Sequence, residues 1–294
     1  MKKAPLTLTL LVIGTLAAIY AGLFHANNRQ SAWPDPARIG ASFAAGVGWL
    51  NAHREEILAQ GNPALWWMVQ QSAERTQDPT LLALFADYRN RYLERGRNIW
   101  LPLFYPGRWV PISTEDTTSL PDYNLHFLYA ISCDPELGQQ PLVQAQLSAD
   151  YCDRHPWRPA CITHQMMGFR FMQRGNCGDQ QAIDAAASQL QTRIVRQLTW
   201  DPRVVDVYLQ RILMLVESGA KQRVKPVWLN RALAAQHADG GWSGIDPLIS
   251  VPGSISLGFD ARGITLKQPR SDFHATAQGV LLMSLLNAPS TSSP

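Results

Sequence analysis

Apolar residues recur every three or four positions along most of the chain, which is the spacing of one face of an α-helix. Residues 203–218 show the pattern most clearly, at Val204, Val205, Tyr208, Leu209, Ile212, Leu215 and Val216. Such a wide apolar stripe is expected of a helix in an inner layer. The same spacing predicts helices over residues 39–59, 63–75, 79–95, 122–131, 139–151, 160–173, 179–198, 226–237 and 272–286.

Two segments interrupt the helical pattern. Residues 98–121 contain several prolines, a glycine and many aromatic residues, which is typical of a long loop. Residues 248–268 are the only candidate for strands, and they favour a β-hairpin or an irregular excursion. The remainder predicts an all-α fold in which short helices, joined by short loops, pack side by side as helical hairpins.

The N-terminus carries an apolar segment long enough to cross a membrane. Lys2 and Lys3 precede residues 4–24, which contain no charged side chain. About 20 apolar residues span a bilayer as a helix, and the two lysines predict that the N-terminus stays inside. We therefore expect a single-pass signal anchor in a bacterial inner membrane, with the rest of the chain in the periplasm. Residues 19–21 also resemble a cleavage site, so removal of the segment stays open.

Composition narrows the classes of protein. Of the 294 residues, 46% are hydrophobic and 17% are charged, and the formal net charge is +3. This is ample apolar material for a large core and too little charge for a disordered chain. The basic residues are scattered, so nothing indicates a partner nucleic acid. Residues 25–38 predict a polar linker after the anchor, and residues 289–294 a disordered tail.

The four cysteines fit an oxidising compartment. Cys133, Cys152, Cys161 and Cys177 lie in one central stretch. An even number of cysteines in an exported chain predicts disulfide bonds. Of the three pairings open to four cysteines, we expect Cys133 with Cys152 and Cys161 with Cys177, because neighbours in sequence close the shorter loops.

One predicted helix ends in a distinctive turn formed by Gln236, Asp239, Gly240, Gly241 and Trp242. The Asp-Gly-Gly sequence favours a tight turn that needs a positive φ angle. Trp242 is then placed to fold back onto the preceding helix. Gln236 is placed to tie the end of that helix to the next structural unit.

This turn resembles the helix-ending repeat of the α/α-toroid superfamily, which includes terpenoid cyclases such as squalene-hopene cyclase and the β-subunits of protein prenyltransferases. The flanking segments 206–219 and 270–286 are similar to inner helices of that repeat. The resemblance is clearest over 203–286. It implies that residues 122–288 form an α/α-toroid-like array, preceded by a helical N-terminal part over 39–121.

The chemistry of that superfamily does not transfer with the resemblance. A prenyltransferase helix that holds a zinc-binding histidine is similar to residues 272–276, but here one residue fewer precedes His274. The Asp-x-Cys zinc element of those subunits has no counterpart in this chain. Neither has the Asp-x-Asp-Asp acid motif of squalene-hopene cyclases. The resemblance therefore implies a fold and no particular reaction.

Three histidines and an aspartate occupy the first turns of predicted inner helices, at His126, His164, Asp206 and His274. In a toroid the inner helices run parallel, so their N-termini meet at one mouth of the barrel. These four residues are therefore our candidate catalytic cluster.

Three interpretations of this cluster stay open. The three imidazoles suit a divalent metal such as zinc, with His126, His164 and His274 as ligands. The cluster equally suits general acid and base catalysis. The third interpretation is structural, since polar residues at helix starts often cap the backbone. Asp122 and Gln278 lie four residues from His126 and His274, on the same helix faces.

The sequence Cys-Gly-Asp-Gln, which begins at Cys177, supports two further interpretations. It resembles the Cys-Gly-Glu-Gln of complement-type thioester domains, where the Cys joins the Gln three residues on, here Gln180. Transglutaminase-like cysteine proteases also place a nucleophilic Cys at a helix start, where the helix dipole lowers the pKa of the thiol. A disulfide cysteine at a helix start is the plain alternative.

Two function classes follow from these patterns. The first is a ligand-binding or scaffold protein of the cell envelope, which holds a peptide, a glycan or a lipid-linked ligand at the barrel mouth. Another envelope protein is a further candidate partner. The second is an envelope enzyme, metal-dependent or not, with the His/Asp cluster at its centre. Cysteine chemistry at Cys177 is a further alternative. We expect the binding protein, because the catalytic motifs of the resembling enzymes are missing.

Overall fold

Most of the chain is helical in the computed structural model, which describes residues 4–118, 120–248 and 254–287. This confirms the predicted all-α class. The helices are α1 (Ala4–Asn28), α2 (Pro36–Ala52), α3 (Arg54–Leu58), α4 (Pro63–Thr76), α5 (Pro79–Tyr88), α6 (Leu101–Phe104), α7 (Thr114–Thr117), α8 (Asp122–Ser132), α9 (Pro135–Gly138), α10 (Pro141–Leu147), α11 (Cys161–Gly175), α12 (Gln180–Trp200), α13 (Asp206–Glu217), α14 (Pro226–Ala234) and α15 (Phe273–Asn287).

Four of these helices begin with the same short sequence, an Asp or Asn followed by Pro. The side chains of these cap residues accept a hydrogen bond from the backbone N–H two residues on, at Asp35, Asn62, Asp78 and Asp134. Proline suits the first helical position because its φ angle is already helical and its missing N–H needs no partner there. These caps explain why α2, α4, α5 and α9 start where they do.

The two segments that interrupt the helical pattern differ from each other. The predicted loop 98–121 contains the single-turn helices α6 and α7. The predicted hairpin belongs to a three-stranded antiparallel sheet of β1 (Asp246–Pro247), β2 (Ser256–Asp260) and β3 (Gly263–Lys267). Residues 249–253 of that prediction lie outside the described residues.

Six helices contact one another in a closed order. Helix α4 packs on α15, α15 on α13, α13 on α11, α11 on α8, α8 on α6 and α6 on α4. Other helices pack against members of this ring: α2 against α15, α5 against α4, α10 against α8, and α12 and α14 against α13. Every residue of α13 from Val207 to Val216 is buried, which agrees with the wide apolar stripe of residues 203–218.

Helix α1 is long and apolar enough to cross a membrane, judged by its length and composition. It extends to Asn28 and so includes residues 25–28 of the predicted linker. Lys2, Lys3 and the predicted tail 289–294 lie outside the described residues.

The C-terminal end of α1 is held by the folded part of the chain. Asn27 is fully buried, and its Nδ2 donates to the carbonyl of Leu198 at 2.6 Å. Its Oδ1 accepts hydrogen bonds from Tyr208 and Arg231, and its carbonyl accepts one from the indole of Trp228. Buried hydrogen bonds of this kind give α1 a defined direction relative to the helix ring.

The disulfide pairing differs from the expected one. Cys133 pairs with Cys177 and Cys152 with Cys161, so the prediction of two pairs between sequence neighbours is wrong. Cys133 caps the C-terminal end of α8 and Cys177 follows that of α11. Because α8 and α11 pack side by side with their starts at the same end of the ring, their ends also meet. The contact between α8 and α11 therefore decides the pairing of Cys133, and the length of the loop that a disulfide closes does not.

Candidate functional site

The N-terminal parts of five ring helices line one pocket of about 270 Å³. The helices contribute Ala64 of α4, Asn124 of α8, His164 of α11, Gln210 of α13 and His274 of α15. The apolar part of the wall comes from Met68, Trp100, Leu103, Phe127 and Met167, among others. The starts of these helices therefore meet at one end of the ring, around a cavity with an apolar and a polar side.

Asp206 and His274 form an ion-pairing contact beside this pocket. Nδ1 of His274 lies 3.1 Å from Oδ2 of Asp206, which joins the first turn of α15 to the first turn of α13. Solvent reaches both groups, since 41% of the His274 side chain and 22% of the Asp206 side chain are exposed. The pair is therefore accessible to a small molecule in the pocket.

Opposing influences set the pKa of His274. Burial among protein atoms is the largest of them and disfavours the protonated ring. The hydrogen bond to Asp206, together with the negative charges of Asp206 and Asp272, outweighs it, so the pKa of His274 is raised above the ordinary value. A raised pKa favours an imidazolium, whose positive charge attracts an anionic or polar ligand group.

Gln278 closes the other side of the His274 ring. It is fully buried, and its Nε2 lies 3.3 Å from Nε2 of His274. Its Oε1 has no hydrogen-bond partner among the described residues. The neutral ring accepts a hydrogen bond from the Gln278 amide, whereas the protonated ring must donate one, and a half-turn of the amide presents Oε1 to it. Gln278 can therefore serve both protonation states.

The Gln-x-x-Asp-Gly-Gly-Trp turn holds the start of α15 in place. The carbonyl of Trp242 accepts a hydrogen bond from the backbone N–H of Asp272 at 2.9 Å, and the side chain of Asp272 caps the first turn of α15. The indole of Trp242 is buried and donates to the carbonyl of Ala232 at the end of α14. This packing fixes the first turn of α15, on which His274 faces Asp206.

The rest of the turn is bound to a neighbouring helix. The side chain of Gln236 accepts a hydrogen bond from Ser42 Oγ, and its amide donates to the carbonyls of Ser42 and Gly240, which ties the end of α14 to α2. Gly240 has a φ angle of +92°, which favours glycine. Asp239 accepts a hydrogen bond from the backbone N–H of Gly241 and stabilises the turn.

His164, on α11, also lines this pocket. Its Nδ1 donates to the carbonyl of Ala160 at 2.8 Å, so Nε2 remains an acceptor. Burial, reinforced by the neighbouring His274, lowers the pKa of His164 to about 4. Its ring packs against that of Tyr123, with 4.5 Å between the ring centroids. His164 therefore presents a neutral ring, in contrast to His274.

A larger groove of about 570 Å³ adjoins the pocket through Tyr123 and His164, which line both cavities. The groove lies between the starts of α8 and α11 and the turn that joins β2 to β3, and Trp157, Ala261 and Arg262 are part of its wall. Trp157 is 93% exposed. The shared side chains connect the inner pocket to this outer surface.

The structure does not bring His126 into this group. Its ring is fully buried between α8 and α11, where it packs directly on Gly168 and edge-on to Phe169. Burial lowers the pKa of His126 to about 4, which the nearby Gln146 offsets only in part. Neither ring nitrogen makes a hydrogen bond within the described chain, because the Gln146 amide donates to backbone carbonyls instead. His126 is a core residue.

The three histidines named as candidate zinc ligands do not converge among the described residues. Over the described ranges, no three His, Cys, Asp or Glu side chains converge closely enough to hold a metal ion. His126 does not line the pocket that His164 and His274 share. Asp122, which lies on the same helix as His126, pairs with Arg158 at 2.9 Å. The zinc interpretation therefore has no ligand set in this structure.

Cys177 forms a disulfide bond. Its sulfur is joined to Cys133, so it carries no thiolate in this form. The Gln180 amide donates to the carbonyl of Cys177 at 2.9 Å rather than meeting its sulfur. Asp179 caps the start of α12.

The sequence analysis did not single out several polar side chains of the pocket, which are Asn62, Tyr123, Asn124 and Gln210. Gln210 is buried, and its Oε1 accepts a hydrogen bond from Thr163 at 2.7 Å. A signal for it was present, because Gln210 lies four residues after Asp206 and so shares its helix face. Tyr123 had no comparable signal, since its place in the wall depends on how α8 packs on α11.

Comparison of the chain with protein-family models, with curated proteins and with solved structures gives no significant match. The function must therefore be argued from the site itself.

Proposed function

We propose that this chain is a membrane-anchored protein of the cell envelope with an α/α-toroid-like domain, which binds a small ligand in the pocket where the helix starts meet. The closed contact order of α4, α15, α13, α11, α8 and α6 supports the toroid-like arrangement. The length and apolar composition of α1 support the anchor. The two disulfides support an oxidising compartment such as the periplasm.

The observation that carries the binding function is the contact between Asp206 and His274 beside the pocket. It holds a ring of raised pKa where solvent can reach it. On the same wall Asn124, Gln210 and His164 offer further polar groups. A few convergent polar groups in a largely apolar cavity are typical of small-molecule sites. The ligand therefore carries an anionic or hydrogen-bond-accepting group next to an apolar portion.

The test is retention of a small molecule by the full-length chain. The purified chain in lipid nanodiscs is incubated with an extract of bacterial envelopes, washed, and analysed by mass spectrometry. We expect the wild-type chain to retain a molecule that the pocket-filling variant Asn124→Trp loses, while both keep the same helical content. Equal retention by both variants, or no retention by the wild-type chain, contradicts a ligand in this pocket.

A second candidate is an enzyme that uses His274 as a general acid. An Asp–His pair in an accessible cavity is a usual arrangement for proton transfer. The retained molecule is then incubated with the wild-type chain and with His274→Gln. Conversion by the wild-type chain alone supports the enzyme. Stable binding without conversion by either supports the binding protein.

A further inference from the structure

The β2–β3 hairpin has its apolar side chains on the outside. Leu257 lies directly opposite Leu266, and Phe259 opposite Ile264. Directly opposed residues of antiparallel strands share one face, so these four side chains form a single apolar surface. Leu257 is 47%, Ile264 76% and Leu266 70% exposed. Ile255, two positions before Leu257, continues this face outside the strand and is 73% exposed.

The other face of the hairpin is small and polar, and its β2 residues are the buried ones. Ser256 and Gly258 are buried. A Cβ atom on Gly258 would lie 2.6 Å from the carbonyl oxygen of Asp246, so only glycine allows this approach of β1 to β2. An antiparallel sheet with one solvated face normally exposes its polar residues and buries its apolar ones. In this hairpin the apolar residues are exposed and the small polar residues of β2 are buried. This arrangement indicates that something other than water covers the apolar face.

The end of α1 lies next to this face. Tyr20 and Leu23 of α1 line one cleft of about 730 Å³ together with Trp200, Phe259 and Ile264. The hydroxyl of Tyr20 donates to the carbonyl of Trp200, at the C-terminal end of α12. The apolar hairpin face is therefore continuous with the side of the helix that is long enough to span a bilayer.

The direction of α1 also fits a bilayer on this side. Asn27 fixes the C-terminal end of α1 inside the domain, so residues 4–23 lead away from it past Trp200. The helix from Ala4 to Tyr20 has 17 residues and measures about 25 Å, which is at the lower end of the length that spans the hydrocarbon core. Trp200 and Tyr20, 57% and 44% exposed, lie where the helix leaves the protein, and Trp and Tyr are enriched at membrane interfaces.

Charge at the border of the face suits lipid headgroups. Arg262, in the turn of the hairpin, and Arg196, one turn before Trp200 on α12, are both exposed. Neither side chain forms an ion pair with any residue that the structure describes. Basic side chains near a membrane surface are attracted to anionic lipids.

From these observations we propose that the β2–β3 hairpin inserts its apolar face, Ile255, Leu257, Ile264 and Leu266, into the interface of the membrane that α1 spans. The bilayer then covers the apolar face, while Arg196 and Arg262 meet phosphate groups. The proposal rests on the proposed anchoring by α1. It also places the outer groove, whose wall includes Ala261 and Arg262, beside the lipid surface.

The experiment measures the depth of labelled positions in vesicles of phosphatidylethanolamine and phosphatidylglycerol. A single cysteine at Ile264 or Leu266 of the oxidised full-length chain is labelled with an environment-sensitive nitrobenzoxadiazole dye. Leu16→Cys on α1 reports anchoring. Glu136→Cys, an exposed position on α9 just after the C-terminal end of α8, is the matched aqueous control.

We expect the dyes at Ile264 and Leu266 to emit at a shorter wavelength than in water and to be quenched by nitroxides attached to the lipid. Iodide in the aqueous phase should not quench them. The dye at Glu136 should be quenched by iodide and not by the lipid nitroxides. If Leu16 is quenched by the lipid and the hairpin positions stay in water, the hairpin proposal is overturned while anchoring stands. If Leu16 also stays in water, the anchoring itself fails. A third outcome is energy transfer between labelled hairpins at high dilution in lipid, without quenching by the nitroxides. It would mean that a second copy of the chain covers the apolar face, and it would overturn the proposal.

Discussion

His126 and His274 both lie near the starts of ring helices, yet they occupy opposite environments. His126 is fully buried against Gly168, with no hydrogen bond to its ring in the described chain. His274 meets Asp206 on one side and Gln278 on the other, in a region that solvent reaches. The pKa of His126 is lowered by burial, whereas that of His274 is raised by Asp206 despite burial.

The difference shows that position along a helix does not determine the role of a histidine. A helix places successive residues about 100° apart, so one step around α8 moves a side chain from the pocket to the interface with α11. Phe127 lines the pocket, and His126, its neighbour in sequence, does not. The direction in which a helix presents its side chains is decided by its contacts with other helices.

The largest expected effect is on stability at acidic pH. Because the pKa of His126 is about 4 in the folded chain and ordinary, about 6.5, in the unfolded chain, the unfolded chain binds more protons between these values. Stability therefore falls as the pH drops through this window, by about 3 kcal/mol in total. His126→Leu should remove the part of the loss that His126 causes, whereas His164, whose pKa is also lowered to about 4, keeps its own contribution. The measurement is urea unfolding of the oxidised full-length chain in micelles, from pH 7 to pH 4, with tryptophan fluorescence as the signal.

His274 should act in the opposite direction. Since its folded-state pKa is raised, its contribution to stability is present at low pH and is lost as the pH rises through that pKa. Asp206→Asn should therefore lower the stability of the folded chain at acidic pH and leave the decline caused by His126 unchanged.

For the first prediction, the contradicting outcome is an equal dependence of stability on pH in the wild-type chain and in His126→Leu. His126 would then not be a group whose protonation destabilises the folded chain.

The second effect is steric and tests the packing around His126. In Gly168→Ala the new Cβ would lie 2.6 Å from Cε1 of His126, so the ring must shift within a closed core. Overpacking of this kind costs about 1–3 kcal/mol. Gly48→Ala is the matched control, because Gly48 is a helical glycine on α2 with nothing within 4 Å of the added Cβ. It should stabilise the chain by up to about 1 kcal/mol.

Chemical unfolding of both glycine variants at neutral pH measures this difference. A second change, His126→Ala, should recover part of the loss caused by Gly168→Ala, because it frees the space that the methyl group needs. If Gly168→Ala is as stable as the Gly48→Ala control, the ring of His126 does not pack as described.

The third effect concerns the pKa of His274. Asp206→Asn removes the charge that raises it, so the pKa of His274 should fall below its wild-type value while the pKa of His126 stays where it was. Nuclear magnetic resonance of the histidine ring protons during a pH titration measures both. Because the pair is partly exposed, the change in the free energy of unfolding at neutral pH should stay below about 1 kcal/mol.

The smallest expected effect is that of Gln278→Met. Methionine removes a buried oxygen without a partner in the described structure, and it also removes the amide beside Nε2 of His274. Loss of the unpaired oxygen should stabilise the folded chain, and loss of the amide contact should destabilise it. The free energy of unfolding should therefore change by less than about 1 kcal/mol. The pKa of His274 should move less than in Asp206→Asn. A larger shift than in Asp206→Asn would mean that Gln278 is the main partner of the ring.

Much of the local structure could be predicted because it depends on neighbouring residues. The helix α13 follows from the spacing of its apolar residues, and the starts of α2, α4, α5 and α9 follow from Asp-Pro or Asn-Pro caps. The turn at Gly240 follows from a residue type that tolerates a positive φ angle. Gln236 and Trp242 could be assigned to this turn from their spacing to Asp239 and the two glycines, whereas their partners on α2 and at the start of α15 depend on the tertiary structure.

The placement of the candidate site residues could be predicted in part. His164, Asp206 and His274 were singled out because they begin apolar helices, and the structure places these three around one end of the helix ring. His126 met the same criterion and lies in the core. The sequence contained no information that separates these cases, since the rotation of α8 depends on its contacts with α10 and α11.

The sequence by itself determined the helical class, the positions of most helices, the apolar N-terminal segment and the presence of disulfide-forming cysteines, because each depends on periodicity, composition or a local turn. Only the tertiary structure decided the pairing Cys133–Cys177, the contact between Asp206 and His274 and the outward direction of the hairpin's apolar face. These features join segments that are distant in sequence, and the packing of whole helices and strands, rather than any local preference, brings them together.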